Sequence, residues 1–409
     1  MLGLLRQNQF GMKKYNNKLI LFFIVIMMPL TGAGIDIYTP SLPSMMDYFS
    51  VSQTLVQTSI GIYLIGYSIG QLILGTISDC FGRKYILLPS CLVYILVCLL
   101  SPLSPSIHVF LISRLMQGLA VAGPGIVAKA LLSDCFTGHA LKKASNYLTI
   151  SWAAGPILAP VIGGYLQYYV GWEGNFYFLS AYGFMILISS LIFLPETKTN
   201  RVPFRFENIK SNYLAILRSR IFIGGFLLIA LGYSFMTAFN VMGSFIIQTT
   251  LHFSPVQFGH LSLLLGASWF FGNLINRPFL NHFSNKQIIV KIVWAMLISA
   301  VILSLIMKAL PFNIYTVMIP TCLFFSFGGL IMPNGVGITL SLFPNLGGTV
   351  NAIFAAFYIM GSSLTSFIAS KLGTDSQMPL IYLYCIISFS CVVVYYLTIQ
   401  KFNEGAMQN

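Results

Sequence analysis

The chain divides into twelve apolar segments, near residues 19–39, 54–76, 86–101, 108–134, 143–169, 175–194, 221–248, 256–277, 288–309, 314–342, 348–371 and 379–400. A helix needs about 20 apolar residues to cross the hydrocarbon core of a bilayer. Backbone groups there must be satisfied internally, which leaves helices and closed barrels, and uninterrupted runs of this length point to helices. Only 8% of the residues are charged and 57% are hydrophobic, with a mean hydropathy of +0.83. Soluble domains carry about 25% charged residues, so this chain cannot bury its apolar surface in a water-soluble core. The expected fold is an all-α membrane protein with the bilayer as its first partner.

Charge sets the expected orientation. The net charge of +13, from 22 Lys and Arg against 9 Asp and Glu, would suggest nucleic acid in a soluble protein. In a polytopic membrane protein it reads as basic loops, which face the cytoplasm. All Lys and Arg except Arg114, Lys129, Lys308 and Lys371 fall in alternate loops or tails, on one side. Both termini are therefore expected in the cytoplasm, with the chain in the inner membrane and no nucleic-acid partner. Residues Pro195 to Arg220 form the one long polar connector. It divides the chain into an N-terminal segment (1–18), a six-helix bundle (19–194), a cytoplasmic linker (195–220), a second six-helix bundle (221–400) and a tail (401–409). Two equal halves of this kind are the pattern of transporters built from repeats. The start, with Lys13, Lys14 and Lys18 before an apolar run, also has the form of a secretory signal. Motif content continuing through Pro43 favours an uncleaved first helix.

Metal and cofactor chemistry find no support. The seven Cys are odd in number and form no C-x-x-C pair, so neither a zinc site nor a disulfide framework is indicated. The five His, including His252 and His260, make no H-E-x-x-H. A nucleotide-binding loop, G-x-x-x-x-G-K-[ST], is missing as well, so ATP is not the expected energy source.

What remains is a handful of polar residues inside greasy segments. Asp36 lies in "GAGIDIYTPSLP" at the end of the first segment, and a carboxylate at membrane depth usually faces a protein interior or a water-filled cavity. Arg114 sits six residues into the fourth. At about 1.5 Å per residue, both fall in the outer half of a core about 30 Å thick, at similar depth, where they could pair or compete. Lys129 lies closer to the cytoplasm, where its long stem could snorkel to the interface. "GTISDCFGRKYIL" (75–87) joins the second and third segments and holds Gly75, Asp79, Gly82, Arg83 and Lys84. Glycine suits a tight connection, and the charges can pair with one another or with a helix terminus. In the fifth segment, Gly155, Pro156, Pro160, Gly163 and Gly164 permit close helix approach and a kink. Tyr63, Tyr67, Tyr233, Met236 and Phe239 offer soft aromatic and thioether surface to a cavity, with Asn240 as a polar handle.

These motifs resemble the major facilitator superfamily. Residues 75–87 are similar to its G-x-x-x-D-x-x-G-R-K/R loop, which the resemblance makes a cytoplasmic latch between the halves. Arg114, Gln117 and Gly118 match its R-x-x-Q-G motif, whose arginine is linked to proton transfer, with Gln117 also expected at the cavity. The fifth segment resembles the G-P-x-x-x-P-x-x-G-G pattern of drug:proton antiporters. Together with "PNGVGITLSLFPNLGGTVNA" (333–352), they resemble the bicyclomycin and chloramphenicol resistance branch. The second-half copy of the latch, "NRPFLNHFSNK", lacks an acid and the glycine before its bases, so a symmetrical latch is not expected.

The resemblance implies a monomeric, proton-coupled exporter of small amphipathic compounds, with Asp36 as the proton carrier. Burial disfavours an ionised carboxylate and a neighbouring arginine favours it, so alternating access would change the proton affinity of Asp36. The rival readings are a dedicated exporter of one metabolite such as a siderophore, an uptake symporter, a channel and an intramembrane enzyme. Asp36 is the one acid well inside a segment, which speaks against the last.

Overall fold

A computed structural model of the chain describes residues 16–198, 213–343 and 347–400. Residues 1–15 of the N-terminal segment, residues 199–212 of the linker, residues 344–346 within the 333–352 motif, and the tail lie outside the described residues. Among those described, twelve helices are long and apolar enough to cross a membrane. The first half contains α1 (Asn17–Asp36), a short α2 (Leu42–Phe49), α3 (Gln53–Phe81), α4 (Arg83–Leu100), α5 (Ile107–Cys135), α6 (Gly138–Tyr169) and α7 (Glu173–Phe193). The second contains α8 (Arg220–Ser244), α9 (Pro255–Leu280), α10 (Asn285–Ala309), α11 (Ile314–Ser341), α12 (Gly347–Ala369) and α13 (Met378–Val394). The halves form two six-helix bundles.

Helices begin slightly before the apolar segments because polar residues cap them. Ser52, Ser106, Ser219, Ser254 and Ser284 each accept the backbone N–H three residues on, opening α3, α5, α8, α9 and α10. Such a cap satisfies one of the four free donors of a helix start. Prolines 29, 89, 124, 156 and 160 lie inside helices of the first half. A membrane bundle tolerates them because neighbouring helices re-satisfy the freed carbonyls.

Two long contacts join the bundles, α3 against α12 and α6 against α9. Small residues make them possible. A side chain at Gly164 would meet the Pro255 carbonyl at 2.4 Å, and one at Gly259 would meet the Pro160 carbonyl at 2.6 Å. We call the end bearing Arg83, Lys84, Lys142 and Lys143 the basic end and the opposite one the far end. Hydrogen bonds between the bundles gather toward the far end: Gln248 to the Pro40 carbonyl (3.0 Å), Thr374 to Gln53 (3.2 Å) and Gln57 to the Val241 carbonyl (2.7 Å). Ser68 reaches the Ala356 carbonyl at mid-depth. The far end is closed.

Candidate functional site

Asp36 is the last residue of α1, and its neighbour Ile37 turns the chain toward Pro40. It is 1% exposed. One carboxylate oxygen, Oδ1, accepts a 2.6 Å hydrogen bond from Nδ2 of Asn240 on α8, across the boundary between the bundles. The other, Oδ2, is buried with no protein partner. Asn240, expected as a handle for substrate, is thus the partner of the acid. Nothing in the sequence near either residue links positions 204 apart.

Arg114 shares this level but makes no ion pair with Asp36. Its guanidinium donates to the Gly34 carbonyl at 2.9 Å and to Oε1 of Gln117. It lies between the rings of Tyr38 and Tyr63, 4.1 and 4.3 Å from their centroids, a placement in which ring quadrupoles stabilise a cation. Gln117 continues to Ser101, and Ser101 to Ser113. Gly34 is fitted to this arrangement, because a Cβ there would fall 2.2 Å from the Tyr63 hydroxyl. Tyr63 therefore serves the arginine rather than the cavity.

A narrow cavity opens between the bundles, lined by Thr31, Gly32, Ile35, Leu64, Tyr67, Trp152, Tyr233, Tyr358 and Ile359. Of the expected cavity residues it takes Tyr67 and Tyr233. Phe239 stacks instead on Phe258 and meets Phe325 edge-on within the second bundle. Met236 is buried, and neither it nor Gln117 is in the wall. Trp152 and Tyr358 were not anticipated there. Trp152 carried a usable signal, one of only four tryptophans, three residues before the Gly155–Pro156 pair.

The fifth-segment motif has two faces. Gly155 and Gly163 pack on α1, where added Cβ atoms would lie 2.7 Å from the Pro29 carbonyl and 1.7 Å from that of Ile37. Gly164 faces the other bundle. Pro156 rests on Gly32 of the cavity wall. One helix thus touches both the acid-bearing α1 and the boundary with the second bundle.

At the basic end, residues 75–81 continue α3, so Gly75 is helical and lies 3.7 Å, as a would-be Cβ, from Ala352. Gly82 alone makes the turn, with φ of 117°. Arg83 pairs with Asp79 at 2.9 Å and grips Asp134 with a fork, Nε–Oδ2 at 2.7 Å and Nη2–Oδ1 at 3.1 Å. Lys84 reaches the Leu191 carbonyl near the end of α7. Asp134 and the start of the connector were not anticipated as parts of this cluster. The Glu196 carboxylate accepts the backbone N–H groups of Arg83 and Lys84 at 2.9 and 3.1 Å, capping α4 as an anion does at a positive helix end. Thr197 and Lys198 reach Asp134 and Asp79. Replacing Arg83 with Lys removes the fork while keeping the charge. We expect a loss of about 1.5–3 kcal/mol, the range for hydrogen bonds to charged groups, read as a lower thermal midpoint. Equal midpoints would mean that the fork contributes nothing.

The family model of the Major Facilitator Superfamily matches residues 22–366. The chain is similar to a bicyclomycin resistance protein homolog of Haemophilus influenzae, 28% identical over 91% of this chain and 94% of that one. It is likewise similar to multidrug resistance protein D of Escherichia coli, 25% identical over 90% and 92%. Its fold matches a D-xylose-proton symporter, with a TM-score of 0.75 at 14% identity, covering 95% of this chain and 99% of that one. Family match, bundle architecture and residues at the expected motifs agree: the chain belongs to the major facilitator superfamily.

Proposed function

We propose that the protein exports small amphipathic compounds from the cytoplasm in exchange for protons, as a monomer in the inner membrane with its basic end inside. The observation that carries this reading is the buried Asp36, bridged to Asn240 of the opposite bundle with one oxygen left unpartnered. Ionised, such a group is costly to hold away from water with a single hydrogen bond. Closing the far end over Asp36 therefore favours the state in which a proton has already been taken from outside. The bundles then rock, the basic end opens, and a compound entering between Tyr67, Trp152, Tyr233 and Tyr358 competes with the retained proton.

Arg114 supplies a fixed positive field at the same level while its charge is satisfied by the Gly34 carbonyl, Gln117 and two rings. It orders the end of α1 that carries Asp36. The residues at 75–84 act as the inner latch, and Glu196 ties that latch to the connector. The drug-resistance names of the relatives support outward transport of drug-like molecules.

The test uses everted vesicles with an acidic lumen and a panel of amphipathic drugs added outside. An exporter releases lumenal protons when a transported drug is added. Drug entry with no proton release, or drug and protons moving in the same direction, would contradict the proposal.

A further inference from the structure

The mechanism above leaves Lys129 unused. It lies on α5, inside a membrane-spanning helix, and is half-buried. Among the described residues it has neither an ion pair nor a hydrogen bond, in contrast to Arg114 on the same helix. The acid nearest along α5, Asp134, is held by Arg83 and Thr197. It also points about 140° away around the helix, given 3.6 residues per turn. Asp36, the acid of the cavity level, makes no ion pair with Lys129: one of its oxygens accepts from Asn240 and the other has no protein partner.

Lys129 follows Gly125 by four residues, so the two share a helix face. That face is turned inward: a Cβ at Gly125 would touch Thr31 at 2.9 Å and the Tyr67 hydroxyl at 3.4 Å, two residues of the cavity wall. Helical side chains leave tilted toward the N-terminal end of their helix. Lys129 therefore starts toward Gly125 and the cavity, away from the basic-end interface to which it would have to snorkel. An intramembrane cation without a counter-ion costs stability, and that cost falls when an anion arrives.

We propose that Lys129 binds the acidic group of the exported compound, so that the preferred substrates are amphipathic molecules carrying a carboxylate. The aromatic wall receives the apolar body and Lys129 the charge, at the side from which substrate enters. This rests on the export reading and specifies its substrate class.

The test compares aryl carboxylic acids, naproxen and norfloxacin among them, with their methyl esters, by thermal stabilisation of the purified protein. In the wild type and in Lys129→Arg, half-maximal stabilisation is expected at about tenfold lower concentration for acid than for ester, the factor that one charged hydrogen bond supplies. Lys129→Met and Lys129→Gln should lose that preference. An acid preference that survives in both neutral variants, or is missing from the wild type, overturns the proposal. Esters that still release protons in everted vesicles would then leave the export reading intact, whereas no proton movement with acids or esters would defeat that reading itself.

Discussion

Asp36→Asn should reduce proton-driven export to the background of vesicles without the protein, while binding of an uncharged compound survives. The substitution is nearly isosteric, and the amide oxygen it introduces can still accept the Asn240 donor at the position of Oδ1. Fold and far-end closure are therefore kept, with stability changed by about 1 kcal/mol, the worth of one neutral hydrogen bond. What disappears is the ability to hold or give up a proton. The variant should move substrate only down its own gradient, and pH should no longer alter the direction or rate of that movement. Purified Asp36→Asn protein, assayed in liposomes with and without a pH gradient, separates these outcomes.

Gly163→Val is the second large effect, and it is a failure of assembly. A Cβ at this position would fall 1.7 Å from the Ile37 carbonyl, and backbone cannot rotate out of the way as a side-chain tip can. α1 would have to leave α6 one residue beyond the acid. Overpacking of this kind costs about 1–3 kcal/mol and sometimes more, so low yield and a reduced thermal midpoint are expected. Gly164→Ala makes the contrast. Its obstacle is the Pro255 carbonyl of the opposite bundle, at 2.4 Å, so it should fold and favour the far end open. Equal thermal midpoints for Gly163→Val and the wild type would refute the packing argument.

Much of this was legible in the residues. Twelve spans could be read because hydrocarbon demands long apolar runs, and their ends shifted by only a few residues, through serine caps such as Ser254 and Ser284. Asp36 stood out for the same reason, as a charge where charges are rare. The partners were not legible. Asn240 meets Asp36 only because α8 and α1 face each other across the bundle boundary, and no local pattern encodes that register. Depth alone made Arg114 a candidate for Asp36, whereas the fold offers it a backbone carbonyl and two aromatic faces. The capping role of Glu196 was not legible either, because it depends on where the end of α7 returns relative to the start of α4. Among the aromatics, Phe239 and Tyr67 are alike in composition, and only packing sends one to the core and the other to the cavity.

In the proposed exchange Asp36 is the link between protonation and the far-end seal, and the distance across that seal tests this most directly. Spin labels at Tyr168 on α6 and His260 on α9, both exposed, with the native cysteines replaced, would follow it in lipid as pH is lowered. The distances in the parent protein should move toward the short, closed population at low pH, and those in Asp36→Asn should not respond to pH. The same pH-driven closure in both proteins would contradict the account.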